Sequence, residues 1–147
     1  MTAYRSMIFA SALMLSPLLH AGEGTQANLI SEAPADAKVY IISPKDGETV
    51  PQTFTVKFGL SGMGVAPAGV DKEKTGHHHL LIDVDEMPDM TKPLPATENI
   101  VHFGGGQTET ELTLPPGKHT LQLVMGNHLH IPFKNPVMSK KITVVVE

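Results

Sequence analysis

From Val39 onward, apolar residues come in short runs that alternate with polar ones and are broken every few positions by glycine or proline. Strict alternation puts every second side chain on one face of an extended strand. Thr53–Leu60 sets Phe54, Val56 and Phe58 against Thr55 and Lys57, and Thr110–Leu114 sets Leu112 and Leu114 against Glu111 and Thr113. His119–Met125 gathers Leu121, Leu123 and Met125 on one face, which marks Met125 as core. His77–Val84 puts His78, Leu80, Ile82 and Val84 on one side, and His77, His79, Leu81 and Asp83 on the other. Val39–Ser43, Asn99–Phe103 and Lys140–Val146 complete seven candidate strands. The links Pro44-Lys45-Asp46-Gly47 and Pro115-Pro116-Gly117 join a proline that fixes φ to a glycine that tolerates φ > 0. No stretch has helical apolar spacing of useful length, so the crossover helices of a parallel α/β fold are lacking. The pattern predicts an all-β fold, an immunoglobulin-like β-sandwich of about seven strands, over residues 39–147.

The N-terminus has a different pattern. Arg5 precedes the almost wholly apolar Met7–Leu19, and Ala21 supplies a small residue at a processing point. This is the layout of a secretory signal peptide over residues 1–21, with cleavage near Ala21–Gly22. It is shorter than the roughly 20 apolar residues of a membrane span, so none is expected after cleavage. Residues 22–38 lack aromatics and steady periodicity and are expected to form a flexible leader. The exported domain is thus expected in the periplasm or outside the cell.

Charge narrows the partners. Arg5 is the only arginine, so residues after the signal carry ten lysines against fifteen Asp and Glu, a net charge near −5. Such a domain lacks the basic stripe that nucleic-acid binding requires. The absence of cysteine excludes disulfides, thiolate metal sites and thiol catalysis.

The segments FGLSGMGVAPAGVDKEKTGHHHLLID, HFGGGQTETELTLPPGKHTLQL and NPVMSKKITV together resemble a family of small exported bacterial proteins described as a domain of unknown function. The resemblance spans about Val39–Val146 and implies a bacterial, periplasmic source, but brings no activity with it. LTLPPGKHTLQL also resembles the E–F corner of bacterial Ig-like domains, and SPKDGETV with TFTVKFGL resembles their first two strands.

Candidate chemistry lies in the histidines, eight in the chain and seven after export. With the strands lettered A to G, His77–His79 open C, His102 ends D before Gly104-Gly105-Gly106, and His128 and His130 start the F–G loop. The B–C, D–E and F–G loops of this architecture share one end, so six histidines are expected to converge there. His77 and His79 point the same way and can chelate one ion, whereas His78 faces the core as a hydrogen-bonded core-edge residue. His119, beside the E–F turn, is expected to brace that corner through backbone hydrogen bonds. Imidazole suits zinc, copper and nickel. The candidate ligands are His77, His79, His102, His128 and His130. Met63 and Met138 are possible thioether ligands that would place copper ahead of zinc.

Weaker signals are absorbed by structure. Asp83, Asp85, Glu86 and Asp89 lack the glycine of an EF-hand and are expected as a solvated acidic loop. The three glycines permit a tight link near the histidines, and the Gly/Pro-rich stretch 61–76 is a candidate flap. A metal hydrolase would need a base from Glu73, Glu109 or Glu111, none fixed by a motif, and blue-copper chemistry lacks its thiolate. Two readings remain: a periplasmic copper- or zinc-binding module that buffers or delivers its ion, and a non-catalytic envelope domain that binds a protein or glycan through the same loops.

Overall fold

The computed structural model describes residues 29–147. The expected signal peptide and the first part of the expected leader lie outside them. Nine strands form: β1 Lys38–Ser43, β2 Thr49–Val50, β3 Thr53–Ser61, β4 Gly64–Val65, β5 Thr75–Ile82, β6 Ile100–His102, β7 Glu109–Thr113, β8 Gly117–Gly126 and β9 Ile142–Val146. There is no helix among the described residues, and so none long and apolar enough to cross a membrane.

The strands make two sheets, of order β1-β3-β7 and β2-β9-β8-β5, with β4 and β6 both attached to β5. The fold is an all-β sandwich, and the alternation seen in the sequence builds its core. Val39, Phe54, Val56 and Phe58 of the first sheet meet Leu80, Ile82, Leu121, Leu123, Met125, Val144 and Val146 of the second. Each such side chain, fully buried, contributes about 1.5–3 kcal/mol. All seven expected strands are present within a few residues of their predicted ends. The two additional ones, β2 and β4, are two residues each, too short for any alternation to reveal them. β5 ends at Ile82, before the predicted Val84, because Asp83 takes the left-handed region at φ 53°.

One placement is corrected. The strand containing His102 was expected at the D position, which in the constant-type immunoglobulin sandwich belongs to the sheet of A, B and E. Instead β6 pairs antiparallel with β5, Leu81 opposite Ile100 and His79 opposite His102. Asn99 fixes this hairpin-like return: its carbonyl accepts from the Ile82 amide at 2.8 Å, and its Nδ2 donates to the Ile82 carbonyl at 2.8 Å.

The second sheet is covered on its outer face as well. Leu81, Leu94, Ile100 and Val124 form a separate buried cluster, with Val84, Met90 and Met138 packed against it. Leu94 and Met90 come from the β5–β6 link, and Met138 from the segment before β9. β5 is therefore buried on both faces from Gly76 to Ile82. The described part of the expected leader is docked rather than free: Ala33 and Ala37 pack against the core, and Ser31 accepts a hydrogen bond from the Lys134 amide at 3.0 Å.

Candidate metal centre

The outer face of β5 holds the chemistry. His77 and His79 share it, two residues apart. His102 stands directly opposite His79 across the β5–β6 pair, so the two rings lie on the same face. His130 reaches in from the loop after β8. Four of the six histidines expected to converge thus do so, beside the end of β8 where His77 pairs with Gly126, and the pairing of β6 with β5 sets them on the outer face of the sheet.

Glycines make room for the rings. Gly126 is the β8 partner of His77, and a Cβ there would stand 2.7 Å from Cε1 of His79. A Cβ at Gly104 would come within 2.4 Å of the His102 ring. His130 itself has a φ of 66°, unusual for a side-chain-bearing residue. Its amide donates to the Asn127 carbonyl at 2.9 Å, and its carbonyl accepts from the Leu94 amide at 2.9 Å.

The four rings pack with centroids between 4.5 and 6.3 Å apart. One nitrogen from each of His77, His79, His102 and His130 can be chosen so that all four lie within 4.8 Å of one another. Nε2 of His77 and Nδ1 of His130 already stand 3.1 Å apart. Around a tetrahedral ion with bonds of about 2.0–2.1 Å, donor nitrogens sit roughly 3.3 Å apart, so a modest contraction closes the set. Four histidines are close enough together to hold a metal ion.

Their polar atoms support this fit. Nδ1 of His77, both nitrogens of His79 and Nε2 of His102 are buried without a hydrogen-bond partner. An unpaired buried polar atom costs about 1–3 kcal/mol, and native proteins keep few of them. Coordination satisfies such nitrogens. Burial, reinforced by the neighbouring rings, lowers the His77 pKa to about 4 and that of His79 to about 3. Burial and His130 also lower His102. His77, His79 and His102 are therefore neutral near pH 7, the state ligation requires. His77 and His79 are closed off from solvent, whereas His102 and His130 are half-buried and mark the accessible side.

The other candidates lie elsewhere. His128 is outside the group and stands 3.3 Å from Asp71. Met63 packs against the core between the sheets, and Met138 against the outer apolar cluster. His78 faces the core as expected, its ring 5.1 Å from Phe58, but neither of its nitrogens makes a well-formed hydrogen bond. Burial lowers its pKa to about 4, with the Gln107 backbone pulling the other way. Glu109 and Glu111 lie on β7 in the other sheet, and Glu73 is exposed on the β4–β5 link. His119 braces its corner, donating from Nε2 to the Pro115 carbonyl at 2.8 Å and from Nδ1 to Asp83 at 2.7 Å. Asp83 is thereby structural, a correction to the solvated-loop expectation. The stretch after β3 forms β4 and is tied down by Ala68 N–H to Gly104 and Gly69 N–H to His128. Sequence reasoning passed over Asn127, although an Asn at the exit of a strand signals a side-chain-closed turn.

Residues 56–147 match the family described as Domain of unknown function (DUF4399). The chain belongs to this family. The DUF4399 match takes in all four clustered histidines and every strand from β4 on, while β1 and β2 precede it. No curated protein matches. Among solved structures, the chain is similar to the endo-beta-1,4-mannanase from Thermotoga petrophila, with 16% identity, a TM-score of 0.46 and 76% of this chain covered. The DUF4399 chain spans only 20% of that enzyme's length.

Proposed function

We propose that this DUF4399 domain binds a transition-metal ion, copper or zinc, through His77, His79, His102 and His130, and buffers or delivers it in the cell envelope. The observation that carries the reading is the group of four imidazoles with donor nitrogens within 4.8 Å, several of them buried and unpaired. The four histidines lie on the outer face of β5, away from the core between the sheets, which favours an exchangeable cargo over a structural staple. The half-buried His102 and His130 give that cargo a way in and out. Imidazoles coordinate as neutral ligands, so a divalent ion would keep its full charge, and no carboxylate in the group is poised as a base. That favours carriage over hydrolysis. Placing copper ahead of zinc rests on the general affinity order for nitrogen donors, in which Cu²⁺ exceeds Zn²⁺, rather than on Met63 or Met138. The envelope location rests on the signal-peptide pattern of residues 1–21.

Calorimetric titration with Cu(II) and Zn(II) at neutral pH tests the proposal. The expected result is one ion per chain, bound at micromolar dissociation constant or tighter, about −8 kcal/mol or better. Binding no tighter than millimolar would sink it and leave the envelope-interaction reading.

A further inference from the structure

We infer that the segment Leu29–Glu32 regulates the metal centre: its docking on Asn127 holds His130 in ligating position, and ion binding in turn fastens the segment. This rests on the metal-binding reading and adds a control element to it.

His130 needs an external hold, because its left-handed backbone is disfavoured for a side-chain-bearing residue. Asn127, 2% exposed, supplies it. Its Oδ1 accepts from the amides on either side of His130, Leu129 at 2.9 Å and Ile131 at 3.1 Å. Its Nδ2 points the other way and donates to the Leu29 carbonyl at 2.8 Å and the Ser31 hydroxyl at 3.0 Å. A single buried amide therefore links the ligand loop to the N-terminal segment. At the far end of the same loop, Lys134 donates from its backbone to Ser31 at 3.0 Å and from Nζ to Glu32 at 3.0 Å.

The consequence follows from polar satisfaction. If Leu29–Glu32 leaves, Nδ2 of Asn127 loses both of its protein partners. The amide is then free to reorient, and its hold on Leu129 and Ile131 loosens. His130 loses its fixed aim, and the ion loses one of four donors on the accessible side. By linkage, ligation of His130 tightens segment docking by the same factor. Whatever pulls on the chain before Leu29 therefore promotes release of the ion.

The test uses Zn(II) as probe on the full chain and on two variants. Asn127→Ala cuts the link at its centre. The double variant Ser31→Ala with Glu32→Gln weakens docking from the segment's side and replaces no ligand or loop residue, so it decides the matter should Asn127→Ala fail to fold. Zn(II) affinity should fall about fivefold in the double variant and more in Asn127→Ala, within the usual range of coupling. Exchange of the Lys134 amide, which reports docking directly, should slow on adding Zn(II) to the wild type and lose that response in the double variant. The Lys92 amide, bonded to Asp89 in the β5–β6 link, should be indifferent throughout. Wild-type Zn(II) affinity in the double variant, with Lys134 exchange insensitive to Zn(II) in the wild type, would overturn the coupling and leave metal binding standing. Absence of Zn(II) binding by the wild type would overturn both.

Discussion

Two sets of histidines hold opposite charge states for reasons visible in their partners. His77 and His79 are buried among other histidine rings, so burial keeps them neutral, whereas His119 donates from both ring nitrogens and must hold both protons. The Asp83 hydrogen bond is the main cause of its raised pKa. A raised folded-state value contributes stability that is complete below about pH 6.5 and is lost as pH climbs through it. The melting temperature should therefore decline above neutrality in the wild type, and Asp83→Asn should flatten that decline. The cluster acts at the other side of neutrality. Unfolded histidines take up protons below about 6.5 while the folded pair resists to about 4 and 3, so stability of the apo domain should fall between about pH 6.5 and 4. For the same reason, His77 and His79 should stay available to an ion at pH values where free imidazole is already protonated. A calorimetric pH series checks this. His79→Ala should weaken Cu(II) or Zn(II) binding at least as much as the loss of a ligand's supporting partner does, about 10–100-fold, whereas His128→Ala should leave it within about twofold. The H-x-H pairing of His77 and His79 was legible from alternation alone. That His130 and not His128 joins them was not legible, because a loop has no fixed period.

At the scale of elements, β5 departs most from the simple pattern. Its alternation correctly separates His78, Leu80 and Ile82 from His77, His79 and Leu81, but both faces are buried because the β5–β6 link and the pre-β9 segment cover the outer one. Alternation alone gives no sign that the face opposite the core is buried too. The glycines that flank the strand pairs offer a sharper test. Gly104→Ala places a methyl group against the His102 ring, which is half-buried and can swing outward. Metal affinity should drop about tenfold while the melting temperature changes little, since surface substitutions away from the core usually cost within about 0.5 kcal/mol. An unchanged affinity would mean that His102 does not ligate.

For the molecule as a whole, the core supplies stability and the histidine layer sits on top of it. Leu80→Ala, at a fully buried position, should cost about 2–5 kcal/mol by chemical denaturation, with or without metal. Bound ion should add stability by mass action, about 2.7 kcal/mol at a free concentration 100 times the dissociation constant, and His79→Ala should cut that increment to about 1.4 kcal/mol or less. Alternation, turn residues and composition alone determined the β-sandwich, its core face and the absence of a basic or thiolate site, because these depend on local period and residue type. Only tertiary structure decided that β6 joins β5, that a second apolar layer covers the outer face, and that four histidines from three segments meet. Those outcomes depend on strand pairing and loop closure between residues far apart in the chain, and no local pattern encodes such contacts.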